Sequence, residues 1–209
     1  MVLWVDGMTH ERKDSNTVNK DEARTPPSLF KKLDDRWHFD CDACATEHNT
    51  LCNTFFTSKF TEYEQPREIR KIPFAVDCLT TDWCAHLRIG YRTFYCNPPY
   101  SQPAPFIKKA AEESLKGATV VMLLPADTAC KAFRKYIMGI DYIKDANGDV
   151  IGVPNEFGAS EITFLIPRVV FTNPDGTPMK GQPKFGSMVV VFKQEVFDGS
   201  PVISSMGWK

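Results

Sequence analysis

The clearest alternation of apolar and polar positions lies between residues 91 and 124. Residues 91–96 (YRTFYC) read as a strand that runs into Asn97-Pro98-Pro99-Tyr100. Residues 103–116 (PAPFIKKAAEESLK) bring Phe106, Ile107, Ala110, Ala111 and Leu115 to one face, start on prolines and stop at Gly117. That spacing predicts an amphipathic helix. Residues 118–124 form a continuous apolar run, the signature of a parallel strand buried on both faces. Upstream, Thr25-Pro26-Pro27 predicts a helix start with Thr25 as N-cap, and Leu29, Phe30 and Leu33 follow at helical spacing. Trp37, Phe39 and Cys41 alternate with polar residues and predict a short strand. Residues 74–78 predict another, while 46–73 read as irregular, with weak strand character at 54–57. Downstream, 131–138 predict a second helix. Residues 161–171 and 184–192 predict two strands joined across a turn at Asn173-Pro174-Asp175-Gly176. Residues 1–24 carry no hydrophobic period and are expected to form a flexible arm. The sum is an α/β fold: a mostly parallel sheet with an antiparallel C-terminal hairpin. In such sheets ligands bind at the carboxyl ends of the strands.

Composition narrows the class. A chain of 209 residues suits one domain. Its 43% hydrophobic and 24% charged residues exclude disordered, collagen-like and coiled-coil chains. No apolar run approaches the roughly 18–20 residues of a membrane span, so no membrane association is expected. The opening MVLWVDGMTHERKD becomes polar too early for a signal peptide. Seven cysteines without a secretory signal are expected to be reduced thiols, and the expected compartment is the cytoplasm. With 25 basic against 26 acidic residues, bulk charge cannot hold nucleic acid, although a local basic face can.

The strongest chemical signal is Asn97-Pro98-Pro99-Tyr100, set between a strand and a helix. An amino group conjugated to a ring is a poor nucleophile because its lone pair is delocalised. Two acceptors, the Asn97 side-chain oxygen and the Pro98 carbonyl, can draw its N–H bonds out of the ring plane. Prolines 98 and 99 stiffen the loop, and Tyr100 offers a face to a flat substrate. A second signal is Asp40-Cys41-Asp42-Ala43-Cys44-Ala45. Its small residues allow close approach of a cofactor, and its acids suit an ammonium or ribose hydroxyls; a solvated loop would use the same residues. Asp77, after a short apolar stretch, reads as a capping or turn aspartate. Cys41-x2-Cys44 has zinc-ligand spacing but no second pair, so no metal site is expected. Neither a G-x-S-x-G elbow nor a phosphate-binding P-loop is present.

These pieces resemble the phage-type DNA N6-adenine methyltransferases, the Dam-like family. The similarity runs in order through TPPSLFKKLDDRWHFDCDACA at 25–45, DCLTTDW at 77–83, YCNPPYS at 95–101, VVMLLPADT at 120–128, and EITFLIPRVVF…FGSMVVVF at 161–192. The resemblance implies a Rossmann-like methyltransferase sheet forming one domain over residues 25–209. It also implies S-adenosylmethionine as methyl donor, and adenine in DNA, flipped out of the duplex, as acceptor. Carried over residue by residue, it makes Asn97, Pro98, Pro99 and Tyr100 catalytic. It gives the cofactor Thr25, Pro26, Asp40, Asp42, Ala43, Cys44, Ala45 and Asp77. DNA contacts are expected from Ser101, from Arg67, Arg70 and Lys71 in the basic stretch at 58–75, and from Lys180 and Lys184 in the loop at 172–187. That loop, flanked by Arg168, is the candidate for reading DNA sequence. No obligate protein partner is implied. The chain departs from the pattern in its longer, charged connection at 58–75. The same quartet also serves methyltransferases acting on an RNA base or a protein glutamine, and a non-catalytic DNA-binding or zinc module is the bland alternative.

Overall fold

The computed structural model describes residues 23–46, 48–57, 72–86, 90, 92–173, 175–180, 182, 185–193 and 200–209. Residues 1–22 of the arm expected at 1–24 and the basic stretch with Arg67, Arg70 and Lys71 lie outside them, as does Lys184; Arg24, at the end of that expected arm, is instead tied to Thr172 by backbone hydrogen bonds.

The elements run α1 (Pro27–Trp37), β1 (Cys41–Asp42), β2 (Thr54–Thr57), β3 (Ile72–Val76), α2 (Trp83–His86), β4 (Thr93–Cys96), α3 (Ala104–Leu115) and β5 (Thr119–Pro125). There follow a π turn (Phe133–Ile137), β6 (Ile140–Lys144), β7 (Val150–Pro154), β8 (Glu161–Ile166), β9 (Ser187–Phe192) and β10 (Val202–Gly207). Eight strands form one sheet in the order β10-β8-β9-β5-β4-β1-β2-β3. Among these strands β9 alone runs antiparallel, wedged between β5 and β8; the rest are parallel. This is the Rossmann-like methyltransferase arrangement. The chain moves outward from β1 through β2 to β3 and returns to β4 on the other side of β1. The strand order therefore reverses between β1 and β4, and a crevice opens at their carboxyl ends.

The sheet is buried on both faces. Along β5, Val120, Met122 and Leu124 pack into the layer under α3, and Val121 and Leu123 into the layer under α1. Strand β9 splits likewise, with Met188, Val190 and Phe192 on one face and Val189 and Val191 on the other. That alternation within unbroken apolar runs is the two-sided burial their sequences predict.

Local expectations shift in several places. The N-cap of α1 is Pro26, without a side-chain cap. The Thr25 hydroxyl instead shares a hydrogen bond with the phenol of Tyr95 at 2.7 Å. Trp37 belongs to α1, which ends on His38 in the left-handed region, and β1 shrinks to two residues. Phe39 is released from the expected strand into an aromatic cluster with Phe30 and Tyr95. The second helix over 131–138 becomes a π turn covering Phe133–Ile137. Leu115, expected on the buried face of α3, is 39% exposed at the helix end, where Lys109 and Glu113 are buried instead. The strand at 161–171 stops at Ile166 before Pro167. Two features go beyond the sequence reading. The first is the separate β6–β7 hairpin, closed around Asn147 and Gly148. The second is β10, which extends the sheet edge by pairing parallel with β8.

Candidate active site

Two motif loops leave adjacent strands. β1 pairs with β4 in parallel, with Asp42 opposite Tyr95, so Ala43–Ala45 and Asn97–Tyr100 emerge side by side. The Ala43 amide donates to the Tyr95 carbonyl at 2.7 Å and the Ala45 amide to the Phe56 carbonyl at 3.0 Å. These bonds fix the turn after β1 against both neighbouring strands. Asp42 is buried, and its carboxylate accepts from the Cys44 and Leu51 amides, each at 3.3 Å.

The loops bound a cavity of about 500 Å³, lined by Asp42, Cys44, Ala45, Tyr95, Asn97 and Pro99 from the strand tips. Ala23, Arg24, Thr25 and Pro27 close one side, Thr46 and His48 to Leu51 the floor, and Thr172, Asn173 and Gly176 the roof. The roof and side are one structure: Arg24 and Thr172 exchange two backbone hydrogen bonds, 3.0 and 3.1 Å, and Thr172 also bridges Pro178. The loop expected to read DNA sequence thus begins as a wall of this cavity.

Asn97 holds the decisive position. Its Nδ2 donates to the Ala23 carbonyl at 3.4 Å, which leaves Oδ1 buried and without a hydrogen-bond partner among the described residues. A buried acceptor left unpaired costs about 1–3 kcal/mol, so such an atom marks a place where a donor is expected to arrive. Tyr100 packs edge-on against Phe171, ring centres 5.4 Å apart. Its hydroxyl is buried beside the Ser187 side chain but outside hydrogen-bond geometry, and burial raises its pKa.

Across the Asn97–Tyr100 loop lies a second cavity of about 540 Å³, mostly apolar. Tyr100, Ile107, Leu124, Phe133, Met179 and Met188 line it, with Ser101, Asp127 and Lys131 as polar members. Ala23 belongs to both cavities.

The structure therefore brings together Thr25, Asp42, Cys44, Ala45, Asn97 and Pro99, with Tyr100 and Ser101 on the far side of the loop. Ala43 and Pro98 are buried in the loop backbones that shape the wall. Pro26 is the cap of α1 next to it. Asp40 stands one step earlier, where its amide and carboxylate both bond Thr93 at 2.9 Å, and it lines neither cavity. Asp77 ends β3, two strands from β1 and so roughly 10 Å to the side. Its carboxylate accepts from the Leu79 amide at 3.1 Å, its carbonyl accepts from Thr80 and Thr81, and it too lies outside both cavities. Lys180 is exposed. Arg24, His48, Asn49, Tyr95, Thr172 and Asn173 are cavity residues that sequence reasoning passed over. Apart from Tyr95, which lies in β4, they come from loops without periodicity, and only the TPP and NPPY neighbours of Arg24 and Tyr95 pointed toward those two.

Behind the wall, the thiols of Cys44, Cys78 and Cys96 meet. Cys78 is pushed up by its bond to Cys44 and by burial; Cys41 is pushed up by burial above all. They are neutral core thiols, and all seven cysteines are free. Among the described residues no group of three His, Cys, Asp or Glu has metal-binding geometry, and no helix is long and apolar enough to cross a membrane.

Comparison with known proteins gives the family. The family model described as DNA N-6-adenine-methyltransferase (Dam) matches residues 13–204. A DNA N-6-adenine-methyltransferase of Haemophilus phage HP1 (strain HP1c1) is 34% identical over 125 residues, which cover 58% of this chain and 60% of the relative. A protein of the same name from Escherichia phage T1 is 28% identical over 190 residues, covering 87% of this chain and 67% of the relative. The chain thus spans about three-fifths to two-thirds of these relatives. With a matching model over nearly its whole length and a strand-tip Asn-Pro-Pro-Tyr loop between two cavities, the chain belongs to the DNA N-6-adenine-methyltransferase (Dam) family.

Proposed function

We propose that this chain transfers a methyl group from S-adenosylmethionine to the N6 amine of adenine in DNA. The observation that carries the reading is the unpaired, buried Oδ1 of Asn97 on the loop between a polar and an apolar cavity. The polar cavity suits the cofactor. Its volume lies within the roughly 300–1,000 Å³ of small-molecule sites. Its strand-tip wall is of small residues, and its polar groups answer an amino acid and a ribose. Bound there, S-adenosylmethionine supplies an electrophilic methyl group on a sulfonium.

The rest is work for the protein. Adenine paired in a duplex hides its amine, so the base must swing out and be held. Tyr100 provides the flat surface, in an apolar cavity that favours a stacked ring. Asn97 Oδ1 and the Pro98 carbonyl accept the two amine N–H bonds, localise the nitrogen lone pair and turn a weak nucleophile into a directed one. The anchor from Asn97 Nδ2 to Ala23 fixes which atom of the amide faces the substrate. After transfer the spare amine proton leaves to water. Alignment of the two reactants supplies much of the acceleration. Thr25, Asp42, Cys44 and Ala45 serve the cofactor, and Ser101 borders the base cavity. Lys180 is exposed and available for phosphates, the role the sequence also suggests for Lys184, Arg67, Arg70 and Lys71. Asp40 and Asp77 act indirectly in this scheme, by holding the turns around the site.

The test is nucleoside mass spectrometry of unmethylated DNA incubated with the protein and S-adenosylmethionine. A rise in N6-methyladenine supports the assignment. Methylated RNA or protein without methylated DNA would redirect it.

Tyr100 makes a separate prediction. Stacking on an aromatic side chain is worth about 1–3 kcal/mol per base, so Tyr100→Ala is expected to lower kcat/KM for DNA roughly 5- to 150-fold. Tyr100→Phe is expected to stay within about twofold of the parent, because the hydroxyl has no hydrogen bond to lose. Equal losses in both variants would mean that the ring does not carry the base.

A further inference from the structure

The polar cavity holds an unmatched charge. Among the described residues lining it, Arg24 carries the only guanidinium or ammonium group, and Asp42 the only carboxylate. Asp42 is committed to the amides of Cys44 and Leu51. The Arg24 side chain has no ion pair or hydrogen bond among the described residues; only its backbone is engaged, with Thr172. A guanidinium at a cavity wall with its donors unused is built for a planar anion, which it can grip through two parallel N–H bonds.

Its place in the chain says which anion. Ala23, one residue before, accepts from Asn97 Nδ2, and Thr25, one residue after, is clamped by Tyr95. Arg24 therefore stands within a strip that touches the amide receiving the reacting amine. The methyl must arrive at that amide, and the sulfur that carries it is bonded to the amino-acid arm of the donor. The α-carboxylate ends that arm. Resting on the proposed use of S-adenosylmethionine, we infer that Arg24 binds the α-carboxylate of the methyl donor and so selects the intact amino acid and sets the depth at which it sits.

The experiment compares equilibrium binding of S-adenosylmethionine, of its decarboxylated analogue and, in a separate titration, of a DNA duplex to the full chain and to Arg24→Gln, by titration calorimetry. The parent is expected to prefer the carboxylate form by roughly tenfold to a hundredfold, the range of a charge-assisted hydrogen-bonded contact. Arg24→Gln is expected to lose that preference while keeping its affinity for the analogue, and Arg24→Lys to recover part of it. Retained preference in the glutamine variant overturns the inference. So does an equal loss for both ligands with a lowered Tm, which would make Arg24 a structural residue. A variant that keeps the preference and loses only affinity for a DNA duplex would assign Arg24 to a phosphate instead. If the parent binds neither ligand, the choice of donor itself falls, a result distinct from a preference that survives the substitution.

Discussion

Asn97→Ala is expected to abolish most turnover while leaving the methyl-donor site intact. The substitution removes a preorganised acceptor at the reacting nitrogen. Loss of one such group in comparable sites costs about 10²–10³ in kcat, or roughly 2.7–4 kcal/mol. The fold has little stake in that oxygen. Oδ1 is already unpaired, and the variant gives up only the long 3.4 Å bond from Nδ2 to Ala23. Donor affinity should therefore hold within a few-fold while the N6-methyladenine signal collapses. Asn97→Asp supplies the contrast. It keeps an acceptor for the amine but turns a second oxygen toward the Ala23 carbonyl, where a donor stood. It should retain more turnover than the alanine variant and bind the donor less well. Single-turnover kinetics with donor binding measured in parallel distinguishes the cases; turnover within tenfold of the parent in Asn97→Ala would remove Asn97 from the chemistry.

The second large effect concerns stability and lies away from both cavities. Glu113 is fully buried on α3. Its carboxylate pairs with Lys109 at 2.6 Å and Lys116 at 2.9 Å, and accepts from the Trp83 amide at 3.2 Å. The Cys84 amide approaches the same oxygen at 3.4 Å. One side chain thus caps the start of α2 and neutralises a buried lysine. Removing one member of such a buried pair costs about 3–5 kcal/mol, because the partner stays behind without its counter-charge. Glu113→Ala is expected to lower Tm by roughly 6–20 °C, taking about 2–4 °C per kcal/mol for a chain of this size. Glu113→Gln keeps an acceptor for the amides and should fall between. Trp83 is the route by which this reaches the site's flank: its ring packs on Phe56 and Phe94, and its indole N–H donates to the Cys78 carbonyl at 2.7 Å, next to Asp77. A calorimetric scan showing less than 3 °C of change would mean that the network contributes little.

The buried half of this fold was legible in the sequence and the exposed half was not. Strands β5 and β9 are apolar throughout because they are covered on both sides, so their runs speak for themselves. β10 has Val202 and Ile203 each 63% exposed at the sheet edge, and no burial pattern is imposed on it. The β6–β7 hairpin packs only one short stretch, and its Asn147-Gly148 turn was its sole local mark. Trp37 and Phe39 misled because an aromatic alternation reads as strand, whereas the helix simply runs one turn further. At the site, the quartet was readable because its chemistry requires fixed residue types in sequence. Roles that depend on distance were not. Asp40 and Asp42 look equivalent on paper, and only the register of β1 against β4 sends one to Thr93 and the other to the cavity.

The position of β9 has a consequence for how the protein is made. It is the ninth strand synthesised, yet it sits between β5 and β8. Until residues 187–192 appear, β5 and β8 each present an open apolar edge, the kind of edge that recruits other chains. The 61 residues between Pro125 and Ser187 take roughly 3–12 s to translate at about 5–20 residues/s. Over that interval the sheet stops at β5, and β8, once made, has no sheet partner, because β10 is synthesised later still. Ribosome-stalled chains ending before residue 187 should be protease-sensitive and aggregate on release. Chains in which residue 192 has cleared the exit tunnel should gain protection in a single step.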